Sequence, residues 1–578
     1  MKLIALAVLC FLSLCAHMFA DQPLKTKPDS QISIIGGGIV GYLEAYYAYK
    51  DAAEHGKPIC LTIYEKEESL GSSSAQKPST NTGFNIVPSL TIDEILSVVP
   101  RGNELVAKLG ILFSQPGGIR VDDVAGINDS TCANNFKQAV SIYGKDSNHG
   151  DRTLALLTLG KKSMELWQQM YDEGDAELKA IFEASNFNPC HEPNNIINKS
   201  LHDGYRIDLI YDIPNARQNA IQMKDAYEQL GYQHCAILTP NEVAKIDPFL
   251  SDFCAEHSLL DSKGNRTWKH DAVALWRPGG CIDTRTFLPK LYAYLRTHMG
   301  QYTTIDGQLQ DCFQIKYNKE VTDIILNTSD RGVRISGLKF SDGTQQLENQ
   351  AGSDHRYVFC PGEAVGTLEH LGFHEPAYAA FAGPSLLLSI PLSTGQIQKY
   401  QDFSHCMEVH REGIVLAWQA RIKENKIFIG VAGTKAFYGD KQPQPNEQFA
   451  LNRNLVQLNM INTVLPEFVS LACGFSTQGK TLSTKDLKNL EQNGIVRRWV
   501  GRRAVAYDGF PTIGALYVGE NKVANARCTT HLGSGGVSFG PGAVYISRAS
   551  ERADNNDFVQ KILYYADSRR DAQQMLQK

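Results

Sequence analysis

The sequence predicts an α/β protein with more than one domain. Three observations predict it: a strand, glycine loop, helix and strand in succession between Gln31 and Tyr64; a second glycine-rich turn into a helix around Gly533; and a length of 578 residues, beyond what one ordinary core supports. Composition adds exclusions. Hydrophobic residues make up 43% of the chain and charged residues 21%, as in a globular protein. A net charge of −5 with no long basic run argues against nucleic acid or an anionic membrane surface as partner.

In the first unit, Gln31 to Ile35 is a short apolar run suited to a buried parallel strand. Gly36–Gly37–Gly38–Ile39–Val40–Gly41 follows as a complete G-x-G-x-x-G. Tyr42 to Glu54 has helix-forming content and stops before Gly56, and Ile59 to Tyr64 is a second strand ending at Glu65. Each part has a mechanical reason. Gly36 permits the tight turn, Gly38 lets the backbone approach a pyrophosphate, and Gly41 lets helix and strand pack closely. The helix start at Ile39 and Val40 offers N–H groups and a positive dipole end to phosphates. Glu65 is placed to accept from ribose hydroxyls, and it selects against a 2′-phosphate. The unit predicts a dinucleotide and leaves NAD and FAD both open. Tyr42 and Glu44 are unusual just inside such a helix, where small residues favour close packing.

Near the other end the chain reads WVGRRAVAYDGFPTIGALYVGENKVANARCTTHLGSGGVSFGPGA from Trp499 to Ala543. A glycine turn entering a helix, at Gly533, Ser534, Gly535, Gly536 and Val537, aims N–H donors and a dipole at one point. That suits a flavin, whose N1 and C2 carbonyl gain negative charge when N5 accepts a hydride.

These segments resemble the D-amino-acid oxidase, glycine oxidase and sarcosine oxidase superfamily of FAD-dependent oxidoreductases. Gly501 and Arg503 match its G-x-R. Asp508–Gly509–Phe510–Pro511 with Ile513–Gly514 match its D-G-x-P-x-I-G, and His531 to Gly536 match its final turn. Ser72–Ser73–Ser74, Gly280–Cys281–Ile282–Asp283 and Tyr357 to Gly362 match in the family's order. The likeness is strong at both ends and diffuse from about Ile92 to Trp276. It implies a Rossmann-like, glutathione-reductase-like FAD-binding domain from residues 32–91, 282–377 and 497–578. A discontinuous α+β substrate domain on an antiparallel sheet would come from 92–281 and 378–496. It also implies noncovalent FAD, with Ser72, Ser73 and Ser74 near its phosphates and Val321 and Gly362 beside it, and no metal. Arg503 would anchor a substrate carboxylate, because a guanidinium fork matches two oxygens and stays charged. His531 would lie over the flavin.

The activity so implied is oxidation of a small, anionic amine, an amino acid or N-substituted amino acid, by hydride transfer to flavin N5. Oxygen or an electron carrier would be the acceptor. Two alternatives remain: an alcohol dehydrogenase of the glycerol-3-phosphate type, and an exported flavin-binding protein with little turnover, which Tyr42, Glu44 and the enlarged middle keep open.

Lys2 followed by the apolar run Leu3 to Leu14 predicts a signal peptide over residues 1–20, cleaved after Ala20, with a periplasmic or secreted destination. An uncleaved N-terminus would be the one route to membrane association. Of 13 cysteines, Cys10 and Cys15 fall in that segment, and the others form no C-x-x-C pair. Export permits disulfides such as Cys132–Cys190 without fixing them, while Cys60 and Cys360 read as small buried hydrophobes. Farther along, Lys426 to Val431 predicts a strand, Asn452 to Leu465 a helix halted at Pro466, and the tail from Glu551 a solvated helix.

Overall fold

The computed structural model describes residues 27–28, 30–69, 89–90, 149–185, 187 and 205–570, the last span with short interruptions at 230, 233, 305, 331, 348–353, 363–365, 401–403, 412–413, 424, 434–435, 440–446, 534–535 and 553. The expected signal segment 1–20, Ser72–Ser74, Ser534, Gly535, Cys132 and Cys190 lie outside the described residues.

Five parallel strands form the centre of the first sheet. Across it they run Phe313–Lys316, Ile59–Tyr64, Ser30–Ile35, His355–Phe359 and Asn521–Thr530. Numbered along the chain this is third, second, first, fourth, fifth, the doubly wound order in which the strand sequence reverses between the first and fourth. Helices cover one face, where Ile32, Ile34, Leu61, Ile63 and Val358 enter their core, while Tyr64, Tyr357 and Phe359 on the opposite face share a core with Val321, Ile335 and Phe340. Helix Ile39–Glu54 shares a core with helix Thr284–Met299 through Tyr42, Leu43 and Tyr46 against Phe287, Leu291 and Tyr294. Helix Gly536–Glu551 closes the layer. An antiparallel meander, Val321–Ser329, Gly332–Phe340 and Gln345–Leu347, joins the sheet where Val333 meets Val523.

The second sheet is mostly antiparallel. Strand Tyr378–Pro391 pairs with Val496–Ala506 on one side and with Lys426–Gly433 and Ala436–Gly439 on the other. The sheet continues through Ile414–Lys423, Ser404–Arg411, Tyr205–Tyr211 and Val273–Pro278 to Ala236–Leu238. Strand Val496–Ala506, counted above with residues 497–578, hydrogen-bonds along its whole length in this sheet. Period-two alternation separates its faces. Ile207, Leu209, Met407, Val409, Leu386, Leu388, Ile427 and Ile429 enter one apolar core, covered by helices Glu447–Val464 and Pro466–Cys473. Pro466 starts the second of these helices at N1, where its missing N–H costs nothing.

The tail differs from expectation. Helix Asp557–Ala566 is amphipathic, and Val559, Ile562 and Ala566 are buried against Ile546 and Ala549 of the preceding helix. Its apolar residues three and four apart were outweighed, in the sequence, by the mixed charges around them. Among the described residues no single helix is long and apolar enough to cross a membrane.

Candidate functional site

The first glycine loop sits at the carboxyl ends of the first and fourth strands, the switch point where ligands of such sheets bind. Gly36 has φ +109°, and a Cβ there would lie 2.1 Å from the Cys360 carbonyl oxygen. Cys360 N in turn donates to Ile35 O at 2.7 Å. A Cβ on Gly41 would meet Gly36 O at 2.1 Å, so both residues must be glycine on steric grounds. Gly38 is different: a Cβ there meets nothing within 4 Å, which leaves open space before the helix. Helix Ile39–Glu54 has no side-chain cap, so its first N–H groups, at Ile39 and Val40 among others, face that space with no capping oxygen. Glu65 is buried, and its carboxylate accepts from Gly37 N at 2.7 Å and from Glu67 N at 3.0 Å. A carboxylate has about four acceptor sites, so capacity for a diol remains. This open cradle with an acid at the second strand's end fits the adenosine diphosphate half of a dinucleotide.

The returning chain borders the same corner. Glu65 N donates to Lys316 O at 2.9 Å and Lys319 N to Glu65 O at 2.8 Å, and the strand holding Val321 starts two residues later. Gly362, at φ +61°, follows Cys360 over the loop.

The second glycine loop meets the first. A Cβ on Gly536 would lie 3.7 Å from Ile39 Cγ2, and one on Gly540 would lie 2.8 Å from Leu43 Cδ1, so the two helices start side by side. Gly533, at φ +57°, donates its N–H to Ala504 O at 3.1 Å, and Leu532 bridges Val505. The loop is thereby tied to the strand holding Arg503, whose backbone lies opposite Phe381. His531 is buried with φ +58°. Its Nδ1 is 2.8 Å from Thr512 Oγ1, and its Nε2 is 2.9 Å from the Glu375 carboxylate. Thr512 hydrogen-bonds one ring nitrogen and the Glu375 carboxylate lies beside the other, so protein groups flank the ring on both sides.

Several supporting residues find partners that lie far away in the sequence. Glu44 makes a buried fork with Arg527, at 2.5 and 2.8 Å, and Arg527 also reaches Ser547 Oγ at 2.8 Å and Glu551 at 3.1 Å. The unusual acid therefore joins the first helix to strand Asn521–Thr530 and helix Gly536–Glu551, and Tyr42 beside it is core. Pro541 lies inside helix Gly536–Glu551 and has no N–H for the Val537 carbonyl. Trp167 Nε1 donates to that carbonyl at 2.9 Å, and Ser163 Oγ accepts from Gly542 N at 2.8 Å. These two residues, four apart on helix His149–Asp172, restore what the proline removed. Pro541, four positions after Val537, was the signal available for this in the sequence. Arg570 clamps the Asp508 turn, with Nε 3.0 Å from the Asp508 carboxylate.

The second sheet's other face is charged. Arg206 contacts Asp208 at 3.1 Å and Glu408 at 2.9 Å; Arg277 contacts Glu408 at 3.0 Å and also bonds Asp208 and Tyr227. His410 lies 3.3 Å from Glu408. Burial works to raise the Glu408 carboxyl, but Arg206 and His410 outweigh it and hold it down at about 2. Asp208, Glu408 and His410 are spaced as a metal site could be, yet both carboxylates already bond guanidiniums. At the other edge of the sheet the Arg285 guanidinium lies 5.1 Å from the Trp499 ring, bringing the start of helix Thr284–Met299 onto this sheet.

No family model and no curated protein matches the chain in sequence. Among solved structures, a thermally stable mutant of fructosyl peptide oxidase is similar with a TM-score of 0.51 and 12% identity, over 92% of this chain and 93% of that one. Fructosyl peptide oxidase from E. terrenum gives a TM-score of 0.50 at 12% identity, over 92% of this chain and 91% of that one. L-Proline dehydrogenase from P. horikoshii gives 0.49 at 15% identity, over 95% and 98%. The chain has the fold of the fructosyl peptide oxidases, across nearly its whole length.

Proposed function

We propose that this chain is an FAD-dependent oxidoreductase that oxidises a small amine bearing a carboxylate. The observation that carries the proposal is the meeting of two glycine-shaped helix starts, Gly536 against Ile39, at the switch point of a doubly wound sheet. The N–H groups of Gly38, Ile39, Val40 and Gly41 would hold the diphosphate, and Glu65 the adenosine ribose. With the Gly533 N–H spent on Ala504 O, the residues after it, Ser534 to Val537, would supply donors at the ring end. Bound noncovalently, FAD supplies two-electron acceptance.

The chain's own task is then alignment of the substrate and exclusion of water. Arg503, next to the residue that accepts the Gly533 N–H, is our substrate anchor, through a guanidinium–carboxylate fork. His531 serves by bracing the second loop between Thr512 and Glu375. Residues 1–20 are read as an export signal, with oxygen or a carrier as acceptor outside the cytoplasm.

The test is anaerobic reduction of the purified, FAD-loaded chain by D-amino acids, N-methyl amines and glycerol 3-phosphate. Bleaching of the flavin by an amine is expected. Bleaching by glycerol 3-phosphate alone overturns the substrate class, and a chain that cannot be loaded with FAD overturns the cofactor.

A further inference from the structure

Strands Ile59–Tyr64 and Phe313–Lys316 run parallel, with Leu61 opposite Phe313 and Thr62 opposite Gln314. One step back along both, Cys60 stands opposite Cys312. Neighbouring strands lie ~4.8 Å apart, inside the range of about 4.4–6.8 Å between Cα atoms that a disulfide spans. In-register residues of parallel strands point to the same side, and both thiols enter one small cluster with Tyr302. Each is a buried free thiol, 6% and 1% exposed. The backbone there is held on both sides of Cys312: its N–H donates to Gly300 O at 2.9 Å, and its carbonyl accepts from Leu61 N at 2.8 Å. Side-chain rotation is the movement a bond would need.

Another pair on neighbouring strands shows what register decides. Phe359, and not Cys360, is opposite Cys528. Cys360 and Cys528 enter different cores on opposite faces of the sheet, so they cannot be joined in the same way.

We propose that Cys60 and Cys312 are a disulfide site that closes in an oxidising compartment. The inference rests on the export reading for its setting and is independent of the flavin. A thiolate attacks an external small-molecule disulfide, such as oxidised glutathione, and releases one thiol. The second cysteine then displaces the other. Two thiols lose two protons and two electrons, and one external disulfide is reduced to two thiols. The Cys60 thiol donates to Cys312, and that hydrogen bond lowers the Cys312 thiol from its usual range. The bond would clamp the sheet's edge strand, whose Lys316 carbonyl accepts from Glu65, onto strand Ile59–Tyr64, which leads into Glu65. It would close a loop of more than two hundred residues, the long-loop case in which the unfolded chain loses most freedom.

The experiment uses the full chain, reduced and then equilibrated in oxidised glutathione. It is denatured, its free thiols are alkylated, and it is digested without reductant for peptide mass spectrometry. A linked peptide holding Cys60 and Cys312 is expected, together with a thiol titre lower by two and a higher melting temperature than the reduced chain. Cys312→Ser should remove the redox dependence of melting. Alkylated Cys60 and Cys312 in the oxidised wild type, or either one linked to another cysteine, would overturn the assignment. Equal melting temperatures in a chain that carries the link would overturn the clamp.

Discussion

The two sheets place their chemistry in opposite ways. In the parallel sheet the candidate site is made of backbone: glycines that must be glycine, open N–H groups, and helix starts in contact. In the antiparallel sheet the buried chemistry is made of side chains from three strands, Arg206 and Asp208, Arg277, and Glu408 with His410. Backbone sites are constrained by sterics that few residues satisfy, so they leave a local motif. Side-chain clusters need charges to balance across strands far apart in sequence, and many arrangements achieve that. The first kind should therefore fail by shape and the second by charge.

Gly36→Val should have the largest effect. It puts a branched side chain at φ +109° and its Cβ 2.1 Å from a carbonyl oxygen. We expect no folded, soluble protein, read by circular dichroism and thermal melting. Gly38→Ala sharpens the contrast, because its Cβ meets nothing within 4 Å and its φ is −77°. Its stability should stay within about 0.5 kcal/mol of wild type. FAD binding should still fall, since the added methyl fills the open space in which the proposed diphosphate would sit. A melting loss in Gly38→Ala as large as in Gly36→Val would erase the distinction between a packing glycine and a ligand-approach glycine.

The charge side of the comparison is broken by Glu408→Ala, which leaves Arg206 and Arg277 buried with half their counter-charge. A loss of about 3–5 kcal/mol is expected. Glu44→Ala should cost a similar amount, because Arg527 is buried against it. Acid separates the Glu408 effect from simple packing. The Glu408 carboxyl is held at about 2, below its ordinary value near ~4.3. A depressed carboxylate contributes its stability above the unfolded value and loses it as pH falls through the folded one. Wild-type melting should therefore drop between pH ~4.3 and ~2 more steeply than that of Glu408→Gln, which has no proton to gain there. Parallel acid curves would remove Glu408 from the cluster's energetics.

What could be read from the sequence follows the same division. Gly36, Gly38, Gly41 and Glu65 were legible because steric and hydrogen-bonding demands fall within one short segment. The second loop was legible as a turn into a helix, and its alignment with the first was not, since Gly536 and Ile39 meet only once the sheet is assembled. Glu44 looked out of place because its partner Arg527 lies at the far end of the chain. Arg206 and Arg277 carry no local signal of their cluster, because strand alternation puts a polar residue on one face without saying what it will meet. The tail helix was misjudged for a related reason: its charges are local, while the core that buries Val559 and Ile562 is supplied by the helix before it.

The smallest expected effect tests where the two modes join. Helix Gly536–Glu551 is glycine-shaped on its side toward Leu43, but its broken hydrogen bond at Pro541 is repaired by side chains of helix His149–Asp172. Trp167→Phe keeps an aromatic ring and removes the indole N–H. The Val537 carbonyl is buried and has no helical donor at Pro541, so it would lose its repair at a cost of about 1–3 kcal/mol. Ser163→Ala should cost about 1 kcal/mol, because the Gly542 N–H loses its acceptor. The pair act on adjacent turns of one proline-interrupted helix, so the double variant should be milder than the sum if the first loss lets the helix relax. Urea melts of the four proteins measure this coupling. Strict additivity would mean that the helix around Pro541 is held by the packing of Gly536 and Gly540 against the first helix, and that the two side-chain bonds act independently of it.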